Sequence, residues 1–139
     1  MKRQVVKFFV AGGFSLCVLV SAAQKAEQAK PVLSGRLIYE QSCLPCHQVD
    51  GSGVPRLTPP LISSEYVNGE KTRLINILLS GMQGVEIKGK KYYNPMPPFD
   101  ALSDQEIANL LTYVRTNFHN ASDPVKVEEV TKTRKAKMK

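Results

Sequence analysis

The clearest hydrophobic pattern in this chain predicts a helix close to residues 103–118. Its apolar positions follow i, i+3, i+4, i+7 and i+11 spacing and would form one helix face: Ile107, Leu110, Leu111, Val114 and Phe118. Just before this stripe, Ser103 and Glu106 stand three residues apart and form a capping box, which marks a helix N-terminus. The helix is therefore expected to begin after Ser103 and to end near Phe118.

Three further helices follow from weaker patterns. Ser34 is a suitable N-cap for a helix over residues 35–42. Residues 71–80 carry apolar side chains on one face and are followed by Gly81, a common residue just beyond a helix C-terminus. A short helix is also expected within residues 61–68.

The segments between these helices are rich in proline and glycine. Residues 48–61 and 94–99 contain too many of these residues for regular structure, and residues 85–93 are typical of a small hairpin or an Ω-loop. The sequence therefore predicts an all-α domain of three to five helices joined by Pro/Gly-rich loops. Such helices bury little apolar surface for roughly 95 ordered residues, which favours a bound group at the centre of the core.

The first 23 residues have the order of a secretory signal peptide. Three basic residues precede an uncharged apolar run over residues 8–23, which ends in small side chains. This run is short for a membrane span, and an uncleaved anchor is the alternative. We therefore expect a linker over residues 24–32, a folded domain over residues 33–120, and a basic C-terminal tail over residues 121–139 that is disordered or loosely packed.

The net charge of +7 belongs mainly to the two ends of the chain. The signal segment contributes +3 and residues 122–139 contribute another +3, so residues 24–121 carry only +1. Basic stripes interleaved with aromatic residues are absent, and nucleic acid is therefore not an expected partner. The basic tail could steer the protein toward an acidic partner or anionic lipid, with a solvated C-terminus as the alternative.

The sequence Cys43-Leu44-Pro45-Cys46-His47 is the strongest chemical motif in the chain. Two cysteines at this spacing match the two vinyl groups of a porphyrin, and the histidine that follows can bind iron, so the motif is typical of covalent haem attachment. A zinc knuckle is one alternative, but outside the motif the chain offers only Cys17 and His119 as cysteine or histidine ligands. A redox dithiol is another, but its usual βαβ context is not predicted.

With this motif, the chain resembles a class I cytochrome c of the small bacterial mono-haem type over about residues 33–119. The matching segments occur in the family's order: Gly35-x-x-x-Tyr39, the CxxCH motif, residues 51–55, Pro59-Pro60-Leu61, residues 94–99 and Leu110-x-x-Tyr113-Val114-Arg115. The resemblance implies a small cytochrome c-like domain built around one covalently bound haem c. It also implies a close crossing of the first and last helices, which Gly35 would permit.

The resemblance further implies which residues hold the haem. Cys43 and Cys46 would form the thioethers, and His47 would bind the iron on one side. Met96, 49 residues later in a proline-rich loop, would bind it on the other side. The alternative is that Met96 packs in the core and that His119 or a lysine binds the iron.

Three more positions receive roles from the same resemblance. The carbonyl of Pro55 would accept the Nδ1 proton of His47 and so orient the ring. Leu61 would form part of the haem pocket wall. Tyr93 would reach a haem propionate or brace the Met96 loop, with ordinary packing as the alternative.

Ligation by histidine and methionine implies an electron carrier rather than an enzyme. Such iron has no open coordination position, so we expect single-electron transfer between a donor and an acceptor, such as a dehydrogenase and a terminal oxidase. The signal peptide implies a periplasmic location, with weak membrane association through the N-terminal segment or the basic tail. The alternative function is that of a peroxidase or a gas-binding sensor in which Met96 leaves the iron.

Overall fold

In the computed structural model, the N-terminal helical segment runs over residues 35–47 and contains a π-helical stretch. It consists of α1 (Gly35–Ile38), the π-helical stretch (Tyr39–Cys43) and α2 (Leu44–His47). Ser34 caps α1, because its hydroxyl accepts the amide proton of Leu37 at 3.3 Å. The predicted helix over residues 35–42 is therefore present, and it continues farther, through both cysteines of the CxxCH motif.

The structure describes residues 32–138, which belong to a compact unit spanning Pro31–Lys139. The predicted signal peptide over residues 1–23 and nearly all of the predicted linker over residues 24–32 lie outside the described residues. Among the residues that are described, none of the helices has the length and apolar character needed to cross a membrane.

The middle of the chain follows the predicted order of elements. It contains α3 (Glu65–Asn68), α4 (Lys71–Ser80), β1 (Glu86–Ile87), β2 (Lys90–Lys91) and α5 (Asp104–Thr116). The two strands form an antiparallel hairpin with Glu86 opposite Lys91. α4 has its predicted bounds, and α5 begins with the predicted capping box between Ser103 and Glu106. With residues 35–47 counted as one segment and a C-terminal helix included, the described part has five helical segments and little strand, so the fold is all-α, as predicted.

α1 and α5 cross at Gly35, where no side chain would fit. A Cβ atom on Gly35 would overlap the backbone carbonyl of Asn109 and lie 2.8 Å from Cβ of Tyr113. Next to this crossing, Tyr39 packs between two aromatic rings of the C-terminal half, with centroid distances of 5.6 Å to Tyr113 and 4.9 Å to Phe118. The close helix crossing implied by the resemblance is therefore present.

The core lies between the N-terminal helical segment, α4, α5 and a sixth α-helix near the C-terminus. Its least exposed large side chains come from all of these elements and from α3: Tyr39, Ile38, Ile75, Leu79, Ile107, Leu110, Val67 and Val130. The stripe predicted for α5 supplies Ile107, Leu110, Leu111 and Val114 to this core. The buried face of α5 is therefore the one that its apolar spacing indicated.

The prediction of a disordered or loosely packed tail after residue 120 is wrong. Residues Val127–Lys137 form α6, which packs against α4 and α5 and buries Val130 completely. Leading into α6, the amide of Val125 donates to the hydroxyl of Thr112 at 3.0 Å. The helix was missed because its inner face combines Val127 and Val130 with Thr133, which is too polar a pattern for hydrophobic spacing to reveal.

Candidate functional site

The π-helical stretch and α2 place the two cysteines in different environments. Cys43 is buried with only 9% of its surface exposed, whereas Cys46 is exposed, and both thiols are free. Burial, together with the neighbouring Cys46, raises the pKa of the Cys43 thiol to about 11. A reactive dithiol needs a lowered thiol pKa, so this environment does not favour redox-dithiol chemistry. Within residues 32–138, no group of three or more Cys, His, Asp or Glu side chains is arranged to hold a zinc ion.

His47 ends α2, and its ring is oriented by a backbone carbonyl. Its Nδ1 lies 3.1 Å from the carbonyl oxygen of Pro59. Because a carbonyl can only accept, Nδ1 must carry the proton, which leaves the Nε2 lone pair available for a metal ion. Burial lowers the pKa of the His47 imidazole below its ordinary value, and the bond to Pro59 opposes that shift only in part. The ring is therefore neutral at pH 7, as a metal ligand must be.

The expected acceptor for His47, Pro55, is not its hydrogen-bond partner. Pro55 is exposed within a tight turn, which is closed by reciprocal hydrogen bonds of 2.9 and 2.8 Å between Val54 and Thr58. This turn keeps Pro55 at the surface, and the chain reaches the imidazole four residues later, at Pro59. The backbone-carbonyl acceptor for Nδ1 was thus anticipated correctly, but its position in the chain was not.

Two cavities adjoin at His47 and Met96. Their volumes are about 80 and 120 Å³, and they share five lining residues: Cys43, His47, Pro59, Met82 and Met96. The first cavity extends toward the apolar core between Leu61, Leu78 and Leu110, and the second extends toward Cys46 and Phe99. Two thiols can attach a porphyrin, an imidazole and a thioether can bind its iron, and apolar walls can enclose it, so these residues fit haem c.

Met96 lies in a loop that the end of α4 supports. Its backbone pairs with that of Met82 through hydrogen bonds of 2.8 and 3.0 Å. Gly81, with φ of +74°, stands so close to the carbonyl of Met96 that a Cβ atom would overlap it. Pro95 and Pro97 restrict the backbone on both sides of Met96. Met82 lines the same two cavities as Met96.

The remaining predicted site residues divide into two groups. Leu61 lines the first cavity, where its amide donates to the carbonyl of Gly51 at 2.8 Å. Tyr93 is 58% exposed and lies with Pro55 in a separate surface cleft of about 660 Å³. The structure thus brings together Cys43, Cys46, His47, Leu61 and Met96, and it leaves Pro55 and Tyr93 outside the cavities that these residues share.

The sequence analysis did not identify Pro59 and Tyr39 as site residues. Tyr39 lines the first cavity, and its hydroxyl donates to the carbonyl of Gln48 at 2.6 Å, just after the CxxCH motif. Pro59 and Tyr39 both stand inside segments that carried the family resemblance, so that signal could have found them. His119 is exposed and lines neither cavity.

Comparison with known proteins identifies the family of this chain. Residues 32–118 match the sequence model of the family described as Cytochrome c. The chain is 36% identical over 148 residues to a cytochrome c-552 of Thermus thermophilus, an alignment that covers 99% of this chain and 90% of that protein. It is 40% identical over 114 residues to another T. thermophilus cytochrome c-552, covering 75% of this chain and 86% of that protein.

A longer protein contains a similar stretch of sequence. The chain is 34% identical over 99 residues to the cytochrome c subunit of a quinone alcohol dehydrogenase from Gluconacetobacter polyoxogenes, covering 69% of this chain and 21% of that subunit. The CxxCH segment, the oriented histidine and the family match point to one conclusion. This chain belongs to the cytochrome c family, as a class I mono-haem member that binds haem c covalently.

Proposed function

We propose that this protein carries single electrons between redox proteins in the periplasm, with His47 and Met96 as the two residues that would bind its haem iron. The observation that carries the proposal is that both side chains line both of the adjoining cavities. Iron held by an imidazole and a thioether would gain or lose one electron and would leave no open position for oxygen or peroxide. The protein is therefore proposed to be a carrier rather than an enzyme.

The chain's own residues prepare this site in two ways. The Pro59 carbonyl fixes the tautomer of His47 and makes the imidazole a stronger ligand. The apolar walls that include Leu61 and Leu78 exclude water, which favours the less charged reduced iron and raises the reduction potential. A thioether favours Fe(II) in the same direction, because it is a soft and weak donor.

An electron must also reach the surface, and the position of Cys46 supports a short route. Cys46 is exposed whereas Cys43 is buried, so a porphyrin bound to both thiols would have one edge near solvent. A redox partner that docks over Cys46 would approach the conjugated ring directly. Ser42 and Pro45, which lie close to Cys46 in the chain, are exposed as well.

The partners are proposed to be a dehydrogenase, an oxidase or another membrane electron-transfer complex. The occurrence of related domains in dehydrogenase cytochrome c subunits supports the first of these. Within α6, Arg134 and Lys137 already bond to other parts of the domain, so the tail has fewer free charges for docking than the sequence suggested. Lys132 and Lys135 remain exposed and are the residues of α6 that could steer an acidic partner.

The two methionines of the site allow a matched test of the axial ligand. Met96→Leu should abolish the weak far-red sulfur–iron absorption band of the oxidised protein and allow the reduced protein to bind carbon monoxide rapidly. Met82→Leu removes a sulfur from the same cavities and should leave the band in place. If Met82→Leu abolishes the band and Met96→Leu does not, the assignment of Met96 is wrong. A wild-type protein without the band, in a high-spin state, would instead support a peroxidase or a gas sensor.

A separate experiment tests export. The proposed location rests on the basic, apolar and small-residue order of residues 1–23 and on the extracytoplasmic attachment of haem c. Protein from a periplasmic fraction should have the mass of the chain without residues 1–23 plus one haem. A mass that includes residues 1–23, found in the membrane fraction, would support an uncleaved anchor.

A further inference from the structure

The position of Met96 depends on two supports, the end of α4 and the turn that follows the loop. The first support is the end of α4 with the two residues after it, through the backbone pair between Met82 and Met96. The amide of Phe99 also donates to the carbonyl of Leu78 at 2.7 Å. On the C-terminal side, residues 100–103 form the turn that leads from the loop into α5. Movement of either support would move the Met96 sulfur relative to His47.

The turn after the loop is held by one side chain of α6. The guanidinium of Arg134 donates from Nη1 to the carbonyl of Asp100 at 2.9 Å and from Nη2 to the carbonyl of Leu102 at 2.7 Å. Its Nε donates to the carboxylate of Asp104 at 2.7 Å, at the first residue of α5. Arg134 thus donates three hydrogen bonds to residues 100–104, and its side chain is only 25% exposed.

α6 contacts the other support as well. One turn beyond Arg134, Nζ of Lys137 lies 2.7 Å from the carbonyl of Leu79, in the last turn of α4. The opposite end of α6 makes a different contact, because Glu129 pairs at 3.2 Å with Lys71, the first residue of α4. α4 has ten residues and is about 15 Å long, so the Glu129 contact lies well away from the Met96 loop.

We propose that Arg134 is a positioning residue for the axial ligand Met96, and that α6 thereby controls how firmly Met96 stays on the iron. This inference rests on the proposed function, in which Met96 is that ligand. A thioether is a weak ligand, so the fraction of molecules in which it has left the iron depends on how well its loop is held. Loss of the Arg134 contacts should raise that fraction without any change in a residue that touches the haem.

Imidazole competes with Met96 for the iron and therefore reports this fraction. Its apparent affinity rises in proportion to the population in which the methionine is absent. In the oxidised holoprotein, imidazole titration of Arg134→Gln should show loss of the far-red band at about tenfold lower concentration than in wild type, which corresponds to about one lost charge-assisted hydrogen bond. Arg134→Lys retains the positive charge but loses the planar set of guanidinium donors. It should lose the far-red band at an imidazole concentration between those of wild type and Arg134→Gln.

Glu129→Gln is the matched control, because it removes an α6 ion pair far from the Met96 loop. Its imidazole affinity should stay within about twofold of the wild-type value. Equal increases of imidazole affinity in Glu129→Gln and Arg134→Gln would mean that any loosening of α6 weakens the hold on Met96. Unchanged imidazole affinity in both Arg134 variants would mean that Arg134 does not influence Met96. Either result overturns the role of Arg134.

The outcomes also separate this inference from the proposed function. A wild-type protein with the far-red band but with Arg134 variants that behave normally contradicts only the inference. A wild-type protein without the band contradicts both. If Arg134→Gln yields no folded holoprotein, the milder Arg134→Lys variant decides the question by the same titration, with a higher affinity than wild type expected.

Discussion

At the scale of single residues, the stability of the domain depends on positions where the packing leaves no space for one more atom. Gly35 is the clearest case, because the crossing of α1 and α5 leaves no room for a methyl group beside Asn109. The contact arises from the backbone itself, so it cannot relax by a change of side-chain rotamer. Alanine, which usually favours a helix more than glycine, is therefore excluded at position 35 by the partner helix.

Gly35→Ala should lower the free energy of unfolding by about 2 kcal/mol, because the added Cβ atom must push α1 away from α5. Chemical denaturation followed by circular dichroism measures this loss. Gln41→Ala serves as the control, since Gln41 is exposed in the same helical segment and its replacement should change stability by less than about 0.5 kcal/mol. Equal stability of the two variants would show that the crossing is looser than described.

Asp104 should make stability depend on pH. Burial tends to raise the pKa of its carboxyl group, but hydrogen bonds from Thr131 and Arg134 outweigh that effect and hold the pKa below its ordinary value. A group whose pKa is lower in the folded state stabilises the fold above its unfolded pKa of about 3.9, and this contribution disappears as the pH falls through the folded pKa. The stabilisation is thus complete at neutral pH.

Comparison of wild type with Asp104→Asn tests this assignment. Wild type should be more stable by roughly 1–2 kcal/mol from pH 7 down to about pH 5, and the difference should shrink below about pH 4. Urea denaturation at several pH values provides the measurement. A difference that stays constant down to pH 2 would show that the Asp104 carboxylate is not the source of the stabilisation.

At the scale of elements, α6 is the helix whose role differs most from the sequence-based expectation. It buries Val130 fully, and its polar side chains bond to fixed parts of α4 and α5. Its stability in the domain therefore comes from tertiary contacts rather than from a wide apolar face. A helix of this kind should respond strongly to truncation of its few buried groups.

Val130→Ala should destabilise the domain by about 2 kcal/mol, because it removes two buried methyl groups and leaves a small void. Lys132→Ala, two residues later on the exposed side, should have almost no effect. Thermal denaturation of the two holoproteins gives the comparison. If both variants melt like wild type, the C-terminal residues do not pack as a helix in solution.

The success of the sequence-based predictions followed the local strength of each signal. α4 and α5 were predicted well because an apolar stripe, a capping box and a following glycine mark them within a few residues. α6 was missed because Thr133 and Arg134 occupy places that an apolar residue usually takes. The bond from His47 to Pro59 rather than Pro55 depends on the path of a proline-rich loop, and no local spacing encodes that path.

At the scale of the whole molecule, the haem site and the core are one structure. Residues that line the first cavity, such as Tyr39, Leu78 and Leu110, are also core residues that the helices share. The two cavities measure about 80 and 120 Å³, and without a bound group the side chains around them lose the packing contacts that a filled core would give. Because the net stability of a small domain is small, the loss of these contacts should impair folding.

The protein should therefore fold poorly when haem cannot be attached. A Cys43→Ala/Cys46→Ala variant, produced without haem, should show reduced helical circular dichroism and no cooperative thermal transition, whereas the wild-type holoprotein should melt cooperatively. The small alanine side chains leave the rest of the chain unchanged, so the loss is due to the missing group rather than to new contacts. A haem-free variant that melts as cooperatively as the holoprotein would show that the helices close the cavities by themselves. In that case, the core would pack without the porphyrin, and haem binding would not be needed for folding.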